Sequence, residues 1–169
     1  QALTRASKAL GDRREAAVMR KGGFWATELE TAWARLKLKE GNAADALPHL
    51  RKVERLMVER YGGDSAKLLL LYSEMAKVAL AAEEAEAAVD YQQRFYQLTK
   101  ETSGEESLAS GEAALALGVF LEEAGEAGDG ALAESYLHEA VDILAGRLGQ
   151  SDKRTLRARL RLAEEMRRS

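Results

Sequence analysis

Few residues in this chain have catalytic or ligating chemistry, and their spacing does not assemble a site. Histidine occurs only at 49 and 138. An imidazole can ligate zinc or move protons near neutral pH. His138-Glu139-Ala140-Val141-Asp142 begins like a zinc-protease helix, but that helix needs a second histidine where Asp142 stands. His49 is too distant to replace it, so both histidines read as boundary residues of helices. Gly125, Gly128 and Gly130 have the composition of a phosphate loop, yet no strand precedes them and no lysine follows in place, so they read as a turn. There is no cysteine, which excludes disulfides and thiolate metal centres and fits a reducing compartment. The abundant carboxylates show no nucleophile and base pairing. The expectation is no enzyme, no catalytic residue, no metal site and no cofactor.

The elements that carry these residues are helical. The chain has 169 residues, 46% of them hydrophobic and 31% charged, which suits a domain with a real core and not a disordered chain. Alanine and leucine recur, Pro48 is the one proline, and no run reads as a strand. No apolar stretch approaches the ~18 residues of a membrane span, and no signal peptide opens the chain. The first residue is Gln1 and not Met, as expected of a piece of a longer parent. The net charge of −3 is unevenly spread: 1–60 carry 13 basic and 8 acidic residues, 81–130 carry 2 and 12, and 151–169 carry 7 and 3. An acidic middle between basic ends lacks the continuous basic face of a nucleic-acid binder.

A repeat organises the helices. Tyr61-Gly62 returns 42 residues on as Ser103-Gly104, and 45 further on as Leu148-Gly149. Each step precedes N-cap candidates: Gly63-Asp64-Ser65, Glu105-Glu106-Ser107 and Gln150-Ser151-Asp152. In the same register Ala34, Ala76, Gly118 and Ala163 form one row of small residues. Large apolar residues precede them: Trp33, Met75, Leu117 and Leu162. A second small row runs Ala46, Ala88, Ala133, followed by Val53, Phe95, Ala140 and by Leu56, Leu98, Ile143. Gly41 and Gly125 share a register position with Glu83, and the three extra residues fall within 126–130.

First helices are expected near 24–40, 64–81, 105–124 and 151–168, and second helices near 45–60, 85–102 and 131–147. Residues 2–20 read as a helix, or a pair broken near Gly11-Asp12. Asp45 as N-cap would put Pro48 in a first turn, where proline loses no bond. Trp25 and Trp33 are eight residues apart on nearly one face. Trp33 is a core residue, and Trp25 packs with Phe24 on the N-terminal segment or serves as a binding hot spot. The organisation is 1–22 as an N-terminal helical segment, repeats at 23–62, 63–104 and 105–149, and a last capping helix at 150–169.

These rows resemble the tetratricopeptide repeat (TPR) family, and the 42-residue period with Leu148-Gly149 is similar to kinesin-light-chain repeats. The resemblance covers 23–169. It implies an all-α, right-handed α-solenoid of antiparallel helical hairpins, a TPR-like superhelix whose first helices line a concave groove. The paired asparagines that grip a peptide in kinesin light chains are absent: Thr31-Ala32, Ser73-Glu74 and Leu115-Ala116 stand there. The groove residues implied are Thr31, Arg35, Leu70, Ser73, Lys77, Leu115, Val119, Arg157 and Arg161, in rows that also hold Glu28, Leu38, Leu80, Glu112, Glu122, Leu160 and Glu164.

Arg35 and Lys77 would lie side by side and suit an acidic group. Leu115 and Val119 would suit an apolar one. Arg154, Arg157, Arg161 and Arg168 could supply a polar end cap; the alternatives are that the parent chain continues there, or that this basic helix docks onto an acidic surface such as another copy's middle repeats. The function expected is a cytoplasmic, non-catalytic scaffold or adaptor that holds a protein or peptide partner, with neither nucleic acid nor membrane. The alternative is a self-assembling, oligomerising part of a larger complex or cytoskeletal assembly.

Overall fold

The computed structural model describes residues 23–124 and 130–168. The expectations for residues 1–22, and the turn insertion at 126–130 apart from Gly130, lie outside the described residues.

Local chemistry starts and stops the helices. Helix α1 (Gly23–Lys39) ends at Gly41, with φ +76°. The Gly41 N–H donates to the Leu38 carbonyl and the Asn42 N–H to that of Lys37. This is the double bond of a left-handed helix stop. Forty-two residues on, the same pattern recurs: the Glu83 N–H donates to Leu80 and the Glu84 N–H to Ala79. Glu83 adopts φ +62° there, so the register held although the glycine did not.

Helix α2 spans Ala43–Tyr61. Its N-cap is Asn42, whose side-chain oxygen accepts the Asp45 N–H at 3.0 Å while its amide donates to the Asp45 carboxylate at 2.7 Å. Asp45 is therefore not the cap, and Pro48 lies inside the helix. Pro48 is exposed and within the first two turns, so the bond it forgoes, to the Ala44 carbonyl, lies near the solvated helix start. A 3-10 turn (Ala66–Leu68) capped by Ser65 leads into α3 (Leu69–Ala81).

The other helices are α4 (Ala85–Ser103), α5 (Leu108–Glu123), α6 (Gly130–Leu148) and α7 (Lys153–Glu165). Ser107 caps α5, accepting the Ser110 N–H at 3.0 Å, and Asp152 caps α7, accepting that of Arg154 at 2.9 Å. No strand occurs among the described residues.

The chain divides into two compact units, residues 1–84 and 85–169, so the 63–104 repeat contributes one helix to each. In the first unit α1 and α2 form a hairpin, and α3 packs on α2. In the second, α5 and α6 form the tightest hairpin, α4 packs on α5, and α7 packs on α6 and touches α5. The small rows explain the close approach. Ala34, Ala76, Ala46, Ala88 and Ala133 are buried, and a Cβ at Gly118 would meet Leu137 of α6. Fully burying Leu137 contributes about 1.5–3 kcal/mol, which a bulkier residue at 118 would forfeit in part. Ala163, in the same row, is exposed.

Candidate partner-binding surfaces

Among the described residues the first unit presents several exposed cations without an ion pair, with Arg35, Lys39, Arg55 and Lys77 among them. Arg35 and Lys77 are both exposed, and neither makes an ion pair or hydrogen bond among the described residues. Three more are tied: Lys37 to Glu40 at 2.9 Å, Arg51 to Glu84 at 2.5 Å and Lys52 to Glu30 at 3.6 Å. Both α1 and α3 pack on α2, but no Cα of α1 comes within 8 Å of one of α3. Arg35 and Lys77 therefore stand on helices that share a neighbour without touching each other. Leu70 is 72% exposed, Ser73 is half-buried, and Thr31 is half-buried with its hydroxyl donating to the Thr27 carbonyl at 2.8 Å. Thr31 thus offers little free hydrogen-bonding capacity.

The second unit differs from the groove implied by the resemblance. Leu115 is buried in the core with Leu117, Leu137 and Leu144, and Val119 is half-buried against the same cluster. Helix α5 is apolar nearly all round, so its would-be groove row is absorbed by packing. Arg161 is held by Glu122 at 3.7 Å and Glu164 at 3.5 Å, while Arg157 is exposed with no ion pair among the described residues. Arg154 bridges to Glu112 at 3.0 Å, which with Asp152 holds its pKa above the ordinary value. Arg168 pairs with Glu165 at 3.6 Å. Much of the basic character of α7 is thereby spent on acids of its own unit.

Two buried polar clusters escaped the sequence reading. In the first unit His49 Nδ1 lies 2.5 Å from Glu30, and its ring stacks on Trp33 at 5.9 Å between centroids. A usable signal existed, because Glu30 shares its register position with Tyr72 and Ala114, both buried. A carboxylate at a core position needs a partner. In the second unit Tyr96 of α4 donates to Glu139 of α6 at 2.6 Å, and Lys100 donates to both at 3.1 Å. Burial, then the Glu139 bond, pushes the Tyr96 hydroxyl up to about 12. The bonds to Tyr96 and Glu139 hold Lys100 above its ordinary range. Tyr136 packs edge-on against Tyr96 at 5.0 Å. These clusters join helices within a unit. Among the described residues no three His, Asp or Glu side chains converge as a metal site requires, and no helix is long and apolar enough to cross a membrane.

No protein-family model and no curated protein matches the sequence. Solved structures do match the fold. BtubC (BKLC) from P. vanneervenii superposes with a TM-score of 0.67 over 96% of this chain, at 18% identity, and this chain spans 63% of that one. Nearly identical TPR-like repeats assigned to a kinesin light chain of Podosopora anserina match with a TM-score of 0.76 over 98% of this chain and 76% of theirs, at 17% identity. A one-residue variant of those repeats matches at 0.74, with the same coverage and identity. At such identity the likeness speaks for architecture. The chain is all-α, an array of antiparallel helical hairpins with the TPR-like solenoid fold.

Proposed function

We propose that this chain is a non-catalytic interaction module of the cytoplasm that holds an extended or helical partner segment against its first helices. The observation that carries this reading is the pair of exposed cations, Arg35 and Lys77, left without acidic partners beside the exposed Leu70. Exposed ion pairs contribute about 0–1 kcal/mol to stability, so little fold energy explains these charges. A ligand carboxylate meeting a guanidinium gains a stronger, charge-assisted bond. The fitting segment carries an acidic residue and an apolar one, the latter resting on Leu70. Ser73 lies between them on α3, with Thr31 beside Arg35 on α1.

The test is a titration of acidic-apolar peptides against the wild type and an Arg35→Glu/Lys77→Glu variant. A loss of tenfold or more is expected for the variant; equal affinity disposes of the reading. A self-assembling role is the second reading. It draws support from the opposite charges of the 81–130 and 151–169 regions that remain beyond the Arg154–Glu112 and Arg161–Glu122 pairs within the chain, and that would attract one another between copies. Light scattering at low and high salt separates the two, because end-to-end assembly would dissolve as salt rises.

A further inference from the structure

Helix α7 has one packed face and one bare face. Thr155, Ala158 and Glu165 are buried on the side turned to α6. On the other side Leu156 is 51% exposed, Leu160 58% and Met166 55%, and Ala163 between them is exposed as well. Their spacing of four, three and three residues makes one continuous stripe along the helix.

The repeat register gives this stripe a meaning. Forty-five residues earlier, the matching positions in α5 are all buried. Two of them are glycines beneath α6, where an added Cβ would lie 2.9 Å from Ile143 and 2.7 Å from Leu137. The stripe that receives an antiparallel helix in α5 is therefore present and empty in α7, down to the small residue that accepts a leucine knob. An anionic membrane would also accept a basic amphipathic helix, but a lipid surface has no use for a notch.

Charge selects the occupant. Lys153, Arg157, Arg159 and Arg167 border the stripe, and Arg161 already holds the nearby Glu164 at 3.5 Å. Two copies pairing α7 on α7 would oppose like charges, which is unfavourable. We propose that the bare face of α7 is a second docking surface, distinct from the α1–α3 surface, and that it takes an amphipathic helix with acidic flanks, laid antiparallel. The apolar side of that helix follows the pattern of α6: Ala133, Leu137, Ala140 and Leu144.

The experiment uses the whole 169-residue chain and a labelled synthetic peptide copying residues 130–148, which carries Glu134, Glu139 and Asp142 against one arginine. Saturable binding that weakens at least tenfold in Leu156→Ser/Leu160→Ser, and weakens again in Arg157→Glu, is the expected result. All three positions are exposed, and circular dichroism verifies that the variants stay folded. Four outcomes overturn the proposal: no saturable binding; equal binding by the leucine variant, which would mean the peptide replaces α6; binding to phosphatidylserine vesicles with none to the peptide; or a wild-type dimer that Leu156→Ser/Leu160→Ser dissolves.

Discussion

A Cβ added at Gly118 would stand 2.7 Å from Leu137 Cγ and 3.2 Å from the Ala133 carbonyl oxygen. Helices α5 and α6 meet at a distance that only glycine allows. Gly118→Ala gains about 0.5–1 kcal/mol of helix propensity but must push back a packed leucine and a backbone oxygen. Overpacking costs about 1–3 kcal/mol, so a net loss is expected in chemical denaturation. Ala76→Leu, in the same row of the first unit, is expected to lose about 1–3 kcal/mol.

Glu83 should gain from becoming glycine. Its φ of +62° costs a side-chain-bearing residue about 1–2 kcal/mol, and glycine at the equivalent position 41 avoids that cost. Part of the gain is offset by the freer unfolded chain. Glu83→Gly is expected to stabilise by about 0.5–1 kcal/mol, read as a higher denaturation midpoint with an unchanged slope.

Tyr96→Phe keeps the ring on Tyr136 and removes the hydroxyl shared by Glu139 and Lys100. A loss of about 1–2 kcal/mol is expected, because Lys100 and Glu139 still pair directly at 3.1 Å. The hydroxyl also sets a pH dependence. Its folded value of about 12 exceeds the ordinary value of 10.0, so the folded state holds the proton longer. The stabilisation is complete below pH 10 and is lost as pH rises toward 12. Spectrophotometric titration should show one of the five tyrosines ionising late, and Tyr96→Phe should abolish that late step.

Glu122 works in the opposite sense to a capping carboxylate. Its side chain is 4% exposed and one carboxylate oxygen has no partner. Burial first, and then the negative charge of Glu165, hold its pKa above the ordinary 4.5. The folded state therefore binds a proton more tightly than the unfolded chain, and Glu122 costs stability as pH climbs out of the ordinary carboxylate range. Glu122→Gln should raise the melting temperature at neutral pH and have little effect in acid. Asp152 has the reverse sign: the Arg154 N–H lowers its pKa, so its contribution is present at neutral pH and lost on acidification. Asp152→Ala should flatten that acid limb of the stability curve.

Most of the fold was legible because its determinants are local. The stops at Gly62, Gly104 and Gly149 and the caps at Ser65, Ser107 and Asp152 lie where the repeat placed them. Asn42 caps α2 in place of the expected Asp45, because Pro48 need not sit in the first turn: one lost bond near a solvated helix start is tolerable. The surfaces were less legible. Whether Arg35 stays free, or Arg161 is tied to Glu122, depends on acids brought from other helices. Ala163 belongs to the small row by register, yet it is exposed because burial requires a covering helix and not just a suitable residue. Leu115 vanished into the core because periodicity cannot tell a groove wall from the second face of a helix buried on both sides.

The two indoles give the molecule an unplanned optical asymmetry. Trp25 and Trp33 both lie in the first unit, one 58% exposed and one stacked on His49, whereas the second unit has tyrosines and no indole. Excitation at the red edge of the indole band therefore watches α1 alone, and far-ultraviolet dichroism watches every helix. Melting curves from the two signals on the unlabelled protein would coincide if both units unfold as one cooperative body, and would separate if a single repeat, divided between them, fails to bind their fates together.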